Sequence, residues 1–307
     1  MSPRTLVRKQ AGRVLRKLAT APIVNSVPEG RMLDLPGRGS TYVVDAPGPE
    51  GAPTLVLLHA LGCTGYLSWF PVLEDLSRHY RVVLFDQRWH GRGIQSDRFR
   101  LNDCADDVAA VLDVLGIERA IPVGYSMGGL IAQLVWQRHP ERVEGLILCS
   151  TARNFQGKTY EKMFFPIMSA AMVPLSPVIR GRISRVASAL PELPSLAAAE
   201  KGWGLIEFRS TSAWSMPAVV NALGHFNSAP WIGGVDVPTT VVVTSRDRTI
   251  PHSRQRSLAA AIPGAEVVEV DGGHASLVLK AEKFGPALLE AAASVVRRGS
   301  AASASVG

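Results

Sequence analysis

Gly124-Tyr125-Ser126-Met127-Gly128-Gly129 is the stretch that decides the fold. It lies between a short apolar run, Ala120 to Gly124, and a stretch of helical periodicity, Met127 to His139, so the spacing predicts a serine on a sharp strand-to-helix turn. Such a turn holds its central residue in strained backbone geometry, and glycines two positions to either side are needed because a Cβ there would strike neighbouring chain. The turn also aims the Met127 N–H, at the start of the helix, at the place where an oxyanion would form. The competing reading is a glycine-rich turn with no chemistry; the position between strand and helix favours the nucleophile.

Working outward, Thr54 to His59, Arg81 to Phe85 and Val143 to Cys149 are nearly continuous apolar runs, the pattern of parallel strands buried on both faces. Helical stretches separate them: Trp69 to His79, Asp103 to Leu115 and the one after Ser126. Alternation of this kind predicts an α/β protein, a mostly parallel sheet with helices on both faces. Upstream, Met32 to Leu35 and Thr41 to Val44 flank a Pro-Gly-Arg-Gly turn and read as a hairpin. From Thr151 to about Ala229 the alternation stops and Met, Pro, Ser and aromatics dominate, which reads as a helical insertion. Strands resume at Thr239 to Thr244 and Glu266 to Val270, separated by a helix near Ser253 to Ile262 and followed by one from about Ser276 to Val296. The resulting division is a basic segment 1–28, a first core part 29–150, a helical cap 151–230, a second core part 231–296 and a disordered tail 297–307.

Of 307 residues 47% are apolar and 19% charged, enough for one large core. The net charge of +7 points towards nucleic acid until it is located. Arg4, Arg8, Lys9, Arg13, Arg16 and Lys17 lie in residues 1–28, which hold no acid, so the body is close to neutral and no nucleic-acid partner is expected. Val7, Ala11, Val14, Leu15 and Leu18 recur in the same segment at helical spacing. Three readings fit it: a surface helix in peripheral contact with anionic membrane or a docking site, an organelle transit peptide, or a solvated arm. Cys63, Cys104 and Cys149 are odd in number without C-x-x-C spacing, which suggests a reducing, cytoplasmic location and no zinc knuckle. No apolar run reaches the roughly 18 residues that span a bilayer.

A serine hydroxyl is a weak nucleophile and needs a base, which in turn needs an orienting acid. His225, His252 and His274 follow Ser126 in the order that this topology requires. His225 falls in the insertion and His252 in a strand-to-helix connection. His274 follows the last strand in Val270-Asp271-Gly272-Gly273-His274, where glycines leave room for the imidazole to fold over the sheet, and is the expected base. Asp247, just past the strand 239–244, is the expected acid because active sites of open α/β sheets gather at the carboxyl ends of strands. Asp271 is the rival, three residues before the histidine that it would orient. Leu61 N–H is the expected second oxyanion donor beside Met127, with Ala60 next, and His59 is expected to buttress that loop.

With these residues in place the chain resembles the α/β-hydrolase superfamily over about residues 30 to 296, and is most similar to its esterases, carbon–carbon bond hydrolases and cofactor-free haloperoxidases. The matching pieces are His59-Ala60-Leu61-Gly62, Asp86-Gln87-Arg88-Trp89-His90-Gly91-Arg92-Gly93, the serine turn, Asp247 with Ile250-Pro251, and Gly273-His274. The resemblance implies an eight-stranded sheet, a Ser126-Asp247-His274 triad and hydrolysis of a small, largely apolar ester or related acyl substrate without metal or cofactor. Carbon–carbon cleavage, acyl transfer or perhydrolysis use the same residues, and a receptor of the same fold is the reading from another class. Two departures stand out: Ala60 and Trp89 replace glycines usual in the family. Trp89 is a candidate substrate contact, and so are Trp203 and Trp214 in the cap, where Met163, Phe164 and Phe165 add to an apolar lining.

Overall fold

The computed structural model describes residues 27–155 and 216–304 of the chain. Strands β1 (Arg31–Leu35) and β2 (Gly39–Ala46) form an antiparallel hairpin. Six strands follow: β3 (Thr54–Leu58), β4 (Arg81–Phe85), β5 (Ile121–Tyr125), β6 (Leu146–Cys149), β7 (Thr239–Thr244) and β8 (Glu266–Val270). They join in one eight-stranded open sheet ordered β1-β2-β4-β3-β5-β6-β7-β8, antiparallel at β1/β2 and β2/β4 and parallel elsewhere.

The continuous apolar runs are explained by two cores, one on each face of the sheet. In β3, Leu55 and Leu57 enter one core while Val56 and Leu58 enter the other, as the period-2 pleat dictates. The first face is covered by α1 (Gly65–Trp69), α2 (Leu73–Ser77), α7 (Ser276–Leu279) and α8 (Ala281–Ala304), the second by α3 (Leu101–Val114), α4 (Met127–Arg138), α5 (Met216–His225) and α6 (His252–Ala259). Helix α8 buries Phe284, Leu288, Ala291, Ala292 and Val295, a stripe at helical spacing. In α3 the buried stripe includes Asp107, whose carboxylate accepts from Arg88 (2.8 and 3.0 Å) and Arg38 (2.6 Å), tying α3 to the β1–β2 turn and to the loop after β4.

Three expectations change. The helix expected over Trp69 to His79 is two short helices, because Pro71 lacks the N–H that would continue the ladder. The closing helix does not stop at Val296; it runs to Ala304, so most of the tail expected to be disordered is helical. Arg298 explains this: its guanidinium donates to the carbonyls of Gly264 (2.9 Å) and Thr239 (2.8 Å), docking the last turns on the sheet. The run from Val143 is strand only from Leu146, with Val143 in an isolated bridge to Ala120.

The basic segment 1–28 lies outside the described residues except for its last two, and so does the cap over 156–215. The cap's base is described: Asn154 bridges Asn227, and Ser228 N–H donates to Arg153 O (2.7 Å), which brings the chain back to where it left the sheet. None of the described helices is long and apolar enough to cross a membrane.

Candidate active site

The register aligns the carboxyl ends of β3, β5, β6, β7 and β8, pairing Leu58 with Gly124, Tyr125 with Cys149, Cys149 with Val242 and Thr244 with Val270. The loops that hold His59, Ser126, Ser150, Asp247 and His274 therefore leave the sheet along one edge.

Ser126 sits between β5 and α4 with φ 54° and ψ −112°, in the left-handed half of backbone space that costs a non-glycine residue energy. The surroundings hold it there. Its N–H donates to Cys149 O (3.0 Å), and its carbonyl accepts from Gly129 N (3.0 Å) and Thr151 Oγ1 (2.9 Å). The flanking glycines are needed for approach: a Cβ on Gly128 would lie 2.1 Å from Leu58 O, and one on Gly124 2.3 Å from Gly128 O.

His274 brings Nε2 to 2.9 Å from Ser126 Oγ, and its Nδ1 lies 2.7 Å from Asp247 Oδ2. An ionised carboxylate only accepts, so the ring proton sits on Nδ1 and the Nε2 lone pair faces the serine hydroxyl. The imidazole side chain is 24% exposed while the Asp247 carboxylate is fully buried. That carboxylate is satisfied on both oxygens. Oδ1 accepts from the N–H groups of Thr249 (2.8 Å) and Ile250 (2.9 Å); Oδ2 accepts from Thr244 Oγ1 (3.0 Å) and Gln255 Nε2 (3.2 Å) besides the histidine.

The rivals lie elsewhere. Asp271 is an exposed partner of Arg246, Lys283 (3.4 Å) and Lys280 (4.0 Å), and the Arg246 guanidinium above all pulls its carboxyl down to about 2. Exposed His225 points Nδ1 at Asn221 O (2.8 Å) within its own helix, and His252 is exposed at the start of α6.

In the loop after β3, Ala60 N–H already donates to Ser68 Oγ (3.3 Å). The N–H groups of Leu61 and Met127 have no acceptor among the described residues. His59 buttresses this loop as expected. Gln87 N–H donates to its Nε2 (2.8 Å), so Nδ1 carries the proton and donates to Ala60 O (2.8 Å), and Gln87 Nε2 returns a bond to His59 O (2.9 Å). Burial, with His90 close by, holds His59 well below the usual histidine range.

Trp89 turns inward rather than outward. At φ 65° it is 6% exposed, its ring lies 5.6 Å from Phe99, and its Nε1 donates to Ser96 O (2.9 Å). These described contacts make it a core wedge under the loop and give no support to a substrate contact. Trp203 and Trp214 lie outside the described residues.

Reading the sequence did not find Tyr125, Thr244 or Gln255. Tyr125 donates its hydroxyl to His274 O and stacks edge-on against Trp69 and Phe284, and its burial raises the phenol pKa. Gln255, fully buried in α6, donates to Asp247 and Ile250 O (2.8 Å) while its Oε1 accepts Thr244 N–H (3.0 Å). Their one sequence signal was position, at a strand end or in the first turns of the helix after Asp247. Among the described residues no group of three or more His, Cys, Asp or Glu is placed to hold a metal ion.

Comparison with known proteins agrees with the fold. The family model for the alpha/beta hydrolase fold matches residues 53–281. A relative from Serratia proteamaculans (strain 568), which carries the name of a carbamate hydrolase, RutD, is 29% identical over 249 residues, 78% of this chain and 90% of its own. The crystal structure of the enol-lactonase from Burkholderia xenovorans LB400 superposes with a TM-score of 0.65 at 26% identity, covering 85% of this chain and 98% of that one. A thermophilic esterase from Thermogutta terrifontis shares the fold at 21% identity, with a TM-score of 0.66 over 86% of this chain and 97% of its own. The chain belongs to the alpha/beta hydrolase family, and it is an enzyme of the hydrolase class.

Proposed function

We propose that the protein is a serine hydrolase that cleaves an ester or related acyl bond of a small, largely apolar substrate through a Ser126-His274-Asp247 triad. One observation carries this reading: the unbroken hydrogen-bonded line from Ser126 Oγ through His274 to a buried Asp247, with the serine at positive φ. Ser126 Oγ attacks the carbonyl carbon as its proton passes to His274 Nε2. The oxyanion is received by the N–H groups of Leu61 and Met127, which are otherwise without acceptors. Asp247 keeps the ring in the required tautomer and stabilises the imidazolium. His274 then protonates the leaving group, and a water deprotonated by the same nitrogen releases the acyl group.

The names of the relatives support the bond type, since a carbamate and a lactone both present a carbonyl carbon bearing a heteroatom that can leave. An incomplete triad would have favoured a receptor of this fold, and the line from Ser126 to Asp247 is complete. Trp203 and Trp214 are proposed to roof the apolar part of the site. The test is hydrolysis of p-nitrophenyl esters over a series of acyl lengths by the wild type and Ser126→Ala. Turnover that peaks at one length and disappears in the variant is expected; equal turnover by both would overturn the assignment. We further propose that residues 1–28, with six of the seven excess positive charges, make peripheral contact with anionic membrane. Unchanged binding to anionic liposomes after removal of the segment would contradict this.

A further inference from the structure

The residue that follows β6 is anomalous in three ways. Ser150 is fully buried, it is one of three non-glycine residues at positive φ (47°) among the described residues, and its hydroxyl lies 3.0 Å from Thr244 Oγ1, which itself donates to Asp247 Oδ2. A line of hydrogen bonds therefore runs behind the triad, from Ser150 through Thr244 to Asp247 Oδ2 and on to His274 Nδ1. Beside it, Tyr125 donates its hydroxyl to His274 O.

Proton counting shows what Ser150 decides. The Thr244 hydroxyl has one proton and three acceptors in reach, Asp247 Oδ2 (3.0 Å), Ser150 Oγ (3.0 Å) and Gln255 Oε1 (3.4 Å), while Gln255 Nε2 (3.1 Å) donates to its oxygen. If Ser150 donates to Thr244, the Thr244 proton is left to Asp247, the nearer of the two remaining acceptors. If Thr244 donates to Ser150, Asp247 loses a donor. The charge on Asp247 favours the first arrangement, because a hydrogen bond to an ionised acceptor is the stronger kind.

We propose that Ser150 is a positioning residue that acts through Thr244 to orient and partly neutralise the carboxylate of Asp247. The inference rests on the triad proposed above and adds a residue that does not touch substrate. Without the Ser150 hydroxyl Thr244 loses the donor that polarises its own O–H, its bond to Asp247 weakens, and the less neutralised carboxylate holds the His274 Nδ1 proton more tightly. The titratable groups around Ser150 are Tyr125 from β5, Cys149 from β6, Asp247 after β7 and His274 after β8. Of these, His274 is the proposed general base, so the rate profile against pH reads a change at Asp247 through it.

The test compares wild type with Ser150→Ala and Ser150→Gly, measuring p-nitrophenyl butyrate kinetics against pH, fluorophosphonate labelling rate and thermal melting. Glycine removes the strain at φ 47° and alanine keeps it, so the two variants separate folding from the lost hydroxyl. Both are expected to lower kcat by about fivefold, the value of one modest hydrogen bond, with KM unchanged and the acid limb of kcat/KM moved to higher pH. Ser150→Gly is expected to melt no lower than Ser150→Ala. Wild-type kcat and pH profile in Ser150→Gly would overturn the inference while leaving the triad standing. A wild type that neither labels nor turns over would remove the triad reading and this inference with it.

Discussion

Tyr125, the residue immediately before Ser126, donates its hydroxyl to the backbone carbonyl of His274. The strand that carries the proposed nucleophile thus also carries the tether of the proposed base. The tether spans 149 residues of sequence and fixes the loop after β8 against the end of β5, so the 2.9 Å between Ser126 Oγ and His274 Nε2 does not depend on that loop alone.

Tyr125→Phe keeps the ring contacts with Trp69 and Phe284 and removes only the hydroxyl. The His274 carbonyl then loses its donor, which costs roughly 1–2 kcal/mol of stability by the usual value of a buried hydrogen bond. The expected result is a lower urea midpoint together with a reduced kcat. A variant as active as the wild type would show that the tether is not needed.

Asp247 and Asp271 make opposite predictions. Asp247→Asn presents an amide where the histidine needs an acceptor, and the wrong tautomer is expected to lower kcat by roughly 10³- to 10⁴-fold. Asp271→Asn removes an exposed partner of Arg246 and is expected to leave kcat and KM near wild type at neutral pH. Steady-state kinetics on both variants decides between the two acids.

Acid should destabilise the fold through its buried histidines. Burial lowers His90 to about 4 from an ordinary 6.5, and its Nε2 has no partner among the described residues. As pH falls from 6.5 to 4 the unfolded chain takes up a proton on this residue that the folded chain refuses, so stability is complete above 6.5 and is lost on the way to 4. The loss is on the order of 3 kcal/mol for His90, and His59 adds to it in the same direction. Urea midpoints between pH 7 and 4 should fall steeply in the wild type and less steeply in His90→Gln; equal slopes would contradict the assignment.

Gly128 and Gly116 separate close approach from backbone strain. Alanine at 128 places Cβ 2.1 Å from Leu58 O, inside the core, and is expected to destabilise by more than about 3 kcal/mol. Alanine at 116 meets nothing within 4 Å and carries only the cost of φ 64°, about 1–2 kcal/mol. Thermal melting of the two variants checks the order.

The parallel strands β3 to β7 were legible because each is buried on both faces and so reads as a mostly apolar run, while β8, an exposed edge strand, showed itself by its valines; 239–244 and 266–270 were bounded correctly from the sequence. That Ser126, His274 and Asp247 come together was legible because topology ties each to a strand end. The helical tail was not, since the reading looked for apolar residues to pack while a single charged residue, Arg298, docks it on backbone carbonyls. The inward turn of Trp89 was not legible, because sequence shows that a large residue replaces a small one but not which way its Cβ points. The line from Ser150 through Thr244 to Asp247 was hidden for a further reason: its members lie at the ends of two strands and meet only when the register of β6 and β7 is set.

The central claim is that Ser126 is a nucleophile activated by His274. The direct measurement is incubation of the wild type, Ser126→Ala and His274→Ala with a fluorophosphonate probe, followed by peptide mass spectrometry. The account predicts one adduct, on Ser126, absent from Ser126→Ala and formed far more slowly in His274→Ala. A correctly folded wild type without the adduct, or one modified equally fast when His274 is absent, would contradict it.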